Sequence, residues 1–223
     1  LGNYLGAIKG WVGHQTEKEN FFCIVDLHAL TVPQDPIQLR SQTRSLAAIL
    51  IAAGIETEKC TLFIQSHVAA HAEACWILNC STPLGWLERM TQFKDKSKKH
   101  SSNINAGLFT YPVLMASDIL IYQADLVPVG ADQKQHLEIT RDLALRFNHL
   151  YGETLVVPEA IIEDQVAVIP GLDGQKMSKS YNNVIPLFAP EKQLRKAIMK
   201  IETDSKTVEE VKDPESCNVF QLF

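Results

Sequence analysis

Short apolar runs alternate with helical stretches along the first part of the chain. Residues 21–26 form an almost continuous apolar run, which is typical of a strand buried on both faces of a sheet. Asp35 and Pro36 match a helix N-cap followed by proline at the first helical position, and Gly54 marks the end of that helix. Residues 61–65 repeat the strand pattern. Strands that alternate with helices in this way predict a doubly wound parallel sheet.

The alternation continues to about residue 190, with one interruption. We predict helices at 68–80, at 112–122 and from about 132 to 147, and strands at 126–129 and 166–169. A basic segment around Lys96 separates two of these helices, and from Glu191 onward the pattern is only helical. The sequence therefore predicts an α/β fold: a Rossmann-like domain over residues 1–190 with a helical and basic insertion at about 68–110, then the start of an α-helical domain over 191–223.

Composition and charge narrow the range of functions. Of the 223 residues, 46% are hydrophobic, which is enough for a large core and excludes a disordered chain. The formal net charge is −5, so any binding of nucleic acid needs a local basic patch rather than a global field. No apolar run reaches the length of a membrane span and no signal peptide opens the sequence, so we expect no membrane contact.

The cysteines indicate a reducing compartment. Five occur, and none forms a C-x-x-C pair: Cys23, Cys60, Cys75, Cys80 and Cys217. Four of them have apolar neighbours. We therefore expect reduced, mostly buried thiols in a cytoplasmic protein, rather than disulfides or a zinc site.

Residues 171–180, here called the lysine loop, have the most distinctive chemistry in the chain. Two glycines precede Lys176 and Lys179. Glycine allows backbone conformations that other residues avoid, so the loop can move and bring two ammonium groups to one polyanion. The hydroxyl groups of Ser178 and Ser180 add donors, a set that suits phosphate oxygens whose charge changes during a reaction. The alternative is an ordinary solvated surface loop.

A second candidate site lies on the predicted helix at 112–122 and the residue before it. Tyr111, Met115 and Asp118 follow one another at steps of four and three, so they share one helix face. The neighbours of Asp118 are apolar, so its carboxylate is expected to be partly desolvated and to need a donor from the protein or a ligand. A ring, a thioether and a carboxylate suit a flat apolar ligand with one N–H. The alternative is a structural acid that caps a neighbouring segment.

A third candidate follows the predicted strand at 126–129, where Gly130-Ala131-Asp132-Gln133 opens a helix. In an open α/β sheet, ligands bind outside the carboxyl ends of the strands. Gly130 permits close approach of a ligand to the backbone, and Asp132 and Gln133 can hydrogen-bond ribose hydroxyls. Plain N-capping by Asp132 is the alternative.

Two weaker candidates lie nearer the start of the chain. Gly2 and Asn3 come ahead of a predicted helix, whose positive end could hold an anion. His28 follows the predicted strand at 21–26 and therefore lies at the same sheet edge as Gly130. A lone histidine is more often a structural residue than a ligand-binding one.

Taken together, these segments resemble the class I aminoacyl-tRNA synthetases, and among them the bacterial type of tryptophanyl-tRNA synthetase. Lys176-Met177-Ser178-Lys179-Ser180 matches the second signature of the family without a departure, and residues 1–7 are similar to the end of the first signature. Residues 26–31, 90–94, 111–120 and 127–136 also match family blocks, so the resemblance covers nearly the whole chain. Ala131, where many relatives have Glu, is a departure. Because half of the first signature is missing and the chain stops in an apolar stretch, we expect a fragment lacking both ends.

The resemblance implies a ligase that works in two steps. Tryptophan and ATP, with Mg²⁺, give tryptophanyl-adenylate and pyrophosphate, and the tryptophanyl group then passes to the terminal adenosine of tRNA(Trp). It also implies a cytoplasmic homodimer, for which Trp76 or Trp86 could supply an exposed apolar contact. The domain at 1–190 is then catalytic but lacks its N-terminal strand, and 191–223 begins an anticodon-binding domain.

The resemblance also implies roles for individual residues. For tryptophan, Asp118 accepts the indole N–H, with Met115, Tyr111 and His28 around the ring. ATP is bound by Gly2, Asn3, Gly130, Ala131, Asp132, Gln133, Val168, Met177, Ser178 and Ser180, together with both loop lysines. Lys176 and Lys179 stabilise the phosphates during catalysis, and Lys96 assists them from the inserted segment. No protein side chain is implied as a metal ligand.

Three alternatives stay open at this point. Tyrosyl-tRNA synthetase shares the fold and a similar G-x-D-Q block, although one carboxylate in an apolar helix fits an indole N–H better than a phenol. A small-molecule nucleotidyltransferase could use the same phosphate-binding motifs, but the helical segment after Glu191 argues against it. An inactive homologue that serves as a binding module is the third.

Overall fold

The computed structural model describes residues 1–16, 18–91, 93, 104–130, 133–162, 169–203, 207, 209–211, 213–214 and 217–222. The chain divides into two compact units. The first unit comprises residues 1–19, 50–56 and 165–223, and the second comprises residues 20–49 and 57–164. The domain boundary predicted at residue 190 rests on the change in sequence pattern, whereas the two units are defined by their compactness, so that boundary stays a prediction.

Among the described residues of the second unit, two pairs of parallel strands form the sheet structure. Strand β1 (Phe21–Ile24) pairs with β2 (Thr61–Ile64), and β3 (Leu126–Val129) pairs with β4 (Glu159–Ile162). Parallel pairing requires long crossover connections, and helices supply them here. The α/β class predicted from the sequence is therefore confirmed.

Helices account for most of the remaining described structure. Their bounds are Lys9–His14, Asp26–Ala29, Pro36–Ala52, Ala70–Ser81, Leu84–Glu88, Ala106–Leu120, Lys134–Tyr151, Glu191–Ile198 and Asn218–Leu222. A π-helix spans Tyr4–Ile8, and short 3₁₀ turns span Gln65–His67 and Lys179–Tyr181. No helix among the described residues is both long and apolar enough to cross a bilayer.

Ala106–Leu120, here called the core helix, lies at the centre of the hydrophobic core of the second unit. It packs against the helices Ala70–Ser81 and Lys134–Tyr151. The buried core residues are Leu78, Leu87, Met90, Val113, Ala116, Leu120, Ile139, Leu143 and Ala144. Because this packing surrounds the helix, polar side chains on it are held in fixed positions.

The local signals at the Pro36–Ala52 helix were predicted correctly. The Oδ1 of Asp35 accepts a hydrogen bond from the backbone N–H of Gln38 at 2.7 Å, as an N-cap does. Gly54 has a φ of +113°, a conformation that favours glycine after a helix end.

Other local predictions were wrong. The core helix begins at Ala106 rather than at Pro112, because Asn105 caps it by accepting a hydrogen bond from the N–H of Leu108 at 2.9 Å. Pro112 therefore lies inside the helix rather than at its start. The run at 21–26 is not buried on both faces, since Phe21 is 40% exposed and only Ile24 in β1 is buried.

Strand β4 was missed, because its four residues Glu159–Ile162 include only a short apolar run. The strand predicted at 166–169 lies outside the described residues except for Ile169, which belongs to no strand. Gly2 and Asn3 were expected to come ahead of a helix, but both residues are already helical, and Asn3 has φ −63° and ψ −32°.

All five cysteines are thiols, as predicted, and none forms a disulfide. The expectation that most are buried was wrong. Cys80 is exposed and the other four are only half-buried.

Candidate functional site

Asp118 is held in place by three side chains of the second unit. Its Oδ1 accepts a hydrogen bond from the Nε2 of Gln65 at 2.7 Å and lies 2.6 Å from the Nδ1 of His71. Its Oδ2 lies 2.8 Å from the Nε2 of His28. An ionised carboxylate only accepts hydrogen bonds, so this network assigns a hydrogen to the Nε2 of His28 and to the Nδ1 of His71.

Tyr122 completes this arrangement, and the five residues His28, Gln65, His71, Asp118 and Tyr122 are here called the Asp118 cluster. The hydroxyl of Tyr122 lies 2.9 Å from the Nε2 of His71. Since the Nδ1 of His71 carries its hydrogen, the Nε2 accepts and the tyrosine hydroxyl donates. His71 is fully buried, so both of its ring nitrogens are satisfied within the protein.

The register of the β1–β2 pair explains why these residues meet. Ile24 and Ile64 are register partners at the carboxyl ends of the two strands, so the residues that follow them lie at one sheet edge. Gln65 directly follows β2 and is fully buried, and its Oε1 accepts from the backbone N–H of Leu27 at 3.0 Å. His28 directly follows Leu27 in the chain. The core helix then brings Asp118 to the same edge.

The carboxylate of Asp118 has capacity for one more hydrogen bond. A carboxylate offers about four lone-pair positions, and three donors occupy three of them. Two donors share Oδ1, so the open position is on Oδ2, beside His28. The side chain of Asp118 is 10% exposed. A ligand N–H that reached this oxygen would meet a fixed, partly desolvated acceptor.

The negative charge of Asp118 acts on its neighbours. Burial first, and then the charges of Asp118 and Asp26, together raise the pKa of Cys23 to about 12. Burial first, and then the charge of Asp118, also raise the pKa of Cys75 above its usual value. The pKa of Tyr122 is raised by burial and by the same carboxylate. These shifts favour the neutral forms around Asp118.

Tyr111 and Met115 lie on the core helix with Asp118, as predicted. Tyr111 is buried, its hydroxyl lies 2.8 Å from the Nε2 of His136, and burial raises its pKa to about 12. Its ring meets the ring of His28 edge to face, with centroids 6.2 Å apart. Met115 is half-buried and packs against the small cluster of Ile119, Val129 and Leu137. The structure therefore brings His28, Tyr111 and Asp118 together.

The predicted site after β3 is only partly described. Gly130 is half-buried at the end of the strand, and its carbonyl accepts from the backbone N–H of Gln133 at 2.9 Å. Gln133 is the N-cap of the Lys134–Tyr151 helix, although its side chain makes no capping bond. Ala131, Asp132, Val168 and Lys96, which were also predicted as site residues, lie outside the described residues.

The lysine loop is closed by backbone contacts within the first unit. Pro170 and Lys176 form an isolated antiparallel bridge, and the N–H of Met177 donates to the carbonyl of Ile169 at 2.8 Å. The N–H of Ser180 donates to the Oγ of Ser178 at 3.2 Å, which caps the 3₁₀ turn that follows.

The side chains of the loop differ in exposure. Those of Lys176, Lys179 and Ser180 are exposed, whereas Met177 and Ser178 are half-buried. Two ammonium groups and a hydroxyl are therefore available to an anion.

The start of the chain meets the lysine loop. The backbone N–H of Gly2 lies 3.2 Å from the Sδ of Met177, across 175 residues of sequence. A Cβ at Gly2 would stand 3.2 Å from the same sulfur, so the close packing favours glycine. Asn3 beside it is exposed. Two segments that were predicted separately to bind ATP are thus neighbours.

Four residues of these two regions were missed by sequence reasoning. They are Gln65, His71 and Tyr122 in the Asp118 cluster, and Asn183, which lies against the lysine loop. Gln65 was placed inside the strand predicted at 61–65, whereas the strand ends at Ile64 and Gln65 directly follows it. The other three have no local pattern that distinguishes them from ordinary polar residues.

Comparison with known proteins agrees with this geometry. The family of class I tRNA synthetases for tryptophan and tyrosine matches residues 1–221. The chain is 54% identical over 228 residues to the tryptophan–tRNA ligase of Wolinella succinogenes. This match covers all of this chain and 69% of that protein. Identity to the tryptophan–tRNA ligase of Thermosynechococcus vestitus is 50% over 236 residues, covering 100% of this chain and 71% of the relative.

A solved structure is similar over the same extent. The tryptophanyl-tRNA synthetase from Campylobacter jejuni, complexed with ADP and tryptophan, gives a TM-score of 0.95 at 46% identity. The match covers 99% of this chain and 69% of that one.

Proposed function

This chain belongs to the class I aminoacyl-tRNA synthetases for tryptophan and tyrosine, and within them to the tryptophan–tRNA ligases. From that membership we propose which of its residues bind tryptophan, which bind ATP and which stabilise the leaving pyrophosphate. The protein is an aminoacyl-tRNA ligase. It activates tryptophan with ATP and transfers the tryptophanyl group to tRNA(Trp).

The reaction has two steps. First, a carboxylate oxygen of tryptophan attacks the α-phosphorus of ATP, the bond to the bridging oxygen breaks, and pyrophosphate leaves with the electron pair. Second, a ribose hydroxyl of the terminal tRNA adenosine attacks the carbonyl carbon of the adenylate, loses its proton and releases AMP. Neither step needs a covalent nucleophile from the protein, so positioning and electrostatic stabilisation supply the catalysis.

The observation that carries the choice of amino acid is the open acceptor position on Asp118. Gln65, His71 and His28 already occupy three of the four lone-pair positions, which leaves Oδ2 for one donor. The indole of tryptophan has one N–H and a flat apolar ring. Tyr111 and Met115 on the same helix supply apolar surface for that ring, and the rings of His28 and Tyr111 meet beside the carboxylate.

The lysine loop acts on ATP. Lys176 and Lys179 stabilise the charge that develops on the leaving pyrophosphate, and Ser178 and Ser180 add hydrogen bonds to phosphate oxygens. Further ATP contacts come from Gly2, Asn3, Gly130, Ala131, Asp132, Gln133, Val168 and Met177, and Lys96 is a third cation for the phosphates.

Mg²⁺ is assigned to ATP rather than to a site built by the protein. Magnesium keeps several waters and usually binds through substrate phosphates with one or two carboxylates. Within the described part of the chain, no three His, Cys, Asp or Glu side chains are grouped to hold a metal. This arrangement fits a metal that enters with its phosphates.

A cytoplasmic homodimer is the proposed assembly, because closed two-fold dimers are the commonest oligomers. Trp76 is 73% exposed and Ile77 is 53% exposed on adjacent positions of one helix, which supports an apolar contact there. Trp86 does not suit this role, since it packs against the core and its ring lies 6.0 Å from the guanidinium carbon of Arg146. Light scattering tests this, because Trp76→Glu should convert a dimer into a monomer.

ATP–pyrophosphate exchange with each amino acid in turn tests the proposed function. We expect exchange that depends on tryptophan and not on tyrosine. Exchange with tyrosine would favour the tyrosyl enzyme, exchange without an amino acid would favour a nucleotidyltransferase, and no exchange with any substrate would indicate an inactive homologue.

A further inference from the structure

Asn183 is the buried polar residue around which the lysine loop is organised. It is 3% exposed and follows the Lys-Met-Ser-Lys-Ser segment by three positions. Its Nδ2 donates to the Oδ1 of Asp173 at 2.7 Å and to the carbonyl of Lys176 at 3.1 Å. Its Oδ1 accepts from the backbone N–H of Ser178 at 2.8 Å. One side chain therefore joins the part of the loop before Lys176 to the part after it.

The bonding pattern fixes the orientation of this amide. Two acceptors, the carboxylate of Asp173 and the carbonyl of Lys176, lie on one side of the side chain, and one donor, the N–H of Ser178, lies on the other. A flipped amide would place its oxygen against both acceptors and its N–H₂ against the donor. The asparagine is therefore matched to its surroundings at both ends.

The backbone of the loop is also fitted to Asn183. The carbonyl of Asn183 accepts from the N–H of Leu172 at 3.0 Å. A Cβ at Gly171 would stand 2.2 Å from the Nδ2 of Asn183 and 2.8 Å from its carbonyl oxygen, so no larger residue fits there. The hydrogen bond from Asn183 is also the main cause that lowers the pKa of Asp173.

These contacts connect Asn183 to both lysines. It holds Lys176 directly through the carbonyl of that residue. It holds Lys179 indirectly, because Ser178 is the N-cap of the 3₁₀ turn Lys179–Tyr181 and its N–H is fixed by the asparagine. The lysine side chains themselves are exposed. The backbone that carries them is thus held while their ammonium groups stay available.

We propose that Asn183 is a positioning residue for amino acid activation, which sets the spacing of Lys176 and Lys179 through the backbone of the lysine loop. This inference rests on the proposed function of the loop. It goes beyond that function, because Asn183 is buried and acts through its hydrogen bonds to the loop.

The first test compares Asn183→Ala with Asn148→Ala in the intact protein. Asn148 is a matched control, because its amide clamps the backbone of Thr154 and Leu155 with the same kinds of bonds and, among the described residues, has no bond to the lysine loop. We expect Asn183→Ala to lower the single-turnover rate of activation at saturating ATP and tryptophan roughly 10–100-fold, as misplaced catalytic groups do. Transfer from preformed tryptophanyl-adenylate should stay within about twofold of wild type, since pyrophosphate has already left.

Asn148→Ala separates a positioning role from a structural one. It should lower the melting temperature without changing the ratio of the two half-reactions. If Asn183→Ala reduces both half-reactions equally, or changes neither, Asn183 is a structural residue and the inference is wrong. Failure of the wild-type protein to catalyse tryptophan-dependent exchange would instead overturn the proposed function.

A charge exchange keeps the inference testable if Asn183→Ala does not fold. Asn183→Asp places a carboxylate against Asp173 and should slow activation. Adding Asp173→Asn restores one donor and one acceptor between the two positions, so the double variant should recover a measurable part of the lost rate. A double variant as slow as Asn183→Asp alone would contradict the proposed coupling.

Discussion

The Asp118 cluster and the lysine loop hold their charges in opposite ways. Asp118 is 10% exposed, and three side chains from three different elements fix its carboxylate. Lys176 and Lys179 are exposed, and the hydrogen bonds that hold their loop reach its backbone rather than their ammonium groups. One region fixes the charged atoms themselves, and the other fixes only the chain that carries them.

This difference corresponds to two different tasks. Selection of one amino acid needs an acceptor at a constant position, because a site built for a substrate N–H rejects analogues that lack it. Stabilisation of a leaving group needs cations that interact more strongly in the transition state than with bound ATP. Exposed lysines on a loop with glycines at its base can make that adjustment, whereas the carboxylate of Asp118, held by three donors, cannot.

Among the substitutions that test this comparison, Lys179→Ala should have the largest effect, which is on the rate of activation. Removal of one electrostatic donor to a developing anion typically costs about 10²–10³ in turnover, so activation should slow by roughly that factor. Transfer of a preformed adenylate to tRNA should change much less. Rapid-quench measurement of both half-reactions checks this. Equal slowing of activation and transfer would mean that the loop does not act on the pyrophosphate.

Asp118→Asn should weaken tryptophan binding by at least about tenfold, the net worth of one hydrogen bond to a charged group. The donors Gln65 and His71 require the amide oxygen at the Oδ1 position, so the N–H₂ takes the Oδ2 position and faces the indole N–H. Calorimetry with tryptophan measures the change. Asp26→Asn is the matched control, because Asp26 is bonded to Ser66 and not to the cluster. Unchanged tryptophan affinity in Asp118→Asn would end the assignment.

The free energy of unfolding should depend more on the Asp118 cluster than on the lysine loop, the reverse of the order expected for the activation rate. His71→Ala removes a fully buried donor and acceptor and leaves Tyr122 and Asp118 short of a partner, which costs about 1–3 kcal/mol for each unsatisfied group. Lys176→Ala changes an exposed side chain and should alter the free energy of unfolding by no more than about 0.5 kcal/mol. Urea unfolding at pH 7 compares them. A loss in Lys176→Ala as large as in His71→Ala would contradict the distinction.

The alkaline limit of stability gives the smallest effect. Burial raises the pKa of Cys23 to about 12 from an ordinary value of 9.0, so the folded protein favours the neutral thiol. That contribution is complete below pH 9 and is lost as the pH rises toward 12, because the unfolded chain ionises first. Cys23→Ala should therefore lose less stability than wild type between pH 8 and pH 11, as measured by urea unfolding. An identical loss in both proteins would mean that Cys23 ionises normally.

Sequence patterns predicted the parts of this molecule that depend on local chemistry. The strand at 126–129, the cap at Asp35 and the lysine loop all follow from residues close together in the chain. The grouping of Tyr111 with Asp118 followed from helical spacing alone. His28 was placed at the sheet edge because it follows a strand.

The features that sequence patterns did not predict depend mostly on contacts between residues far apart in the chain. His71 and Asp118 are 47 residues apart, and His28 and Asp118 are 90 apart, so no local pattern shows which donors satisfy the carboxylate. Asn183 lies close to the loop in sequence, but only its burial distinguishes it from the exposed Asn182 beside it. The helix start predicted at residue 112 was wrong, because packing around the core helix outweighs the local cost of Pro112 inside it.

Single-turnover kinetics of activation, measured over a range of tryptophan and ATP concentrations, test most directly the claim that the two regions have separate tasks. In Asp118→Asn, we predict a higher tryptophan concentration for half-maximal rate and an unchanged dependence on ATP. In Lys176→Ala and Lys179→Ala, we predict a limiting rate about 10²–10³ lower, with a smaller change in apparent ATP affinity. If both lysine variants weaken ATP binding while the limiting rate at saturating ATP stays at the wild-type value, the loop is a binding clamp and the account is wrong.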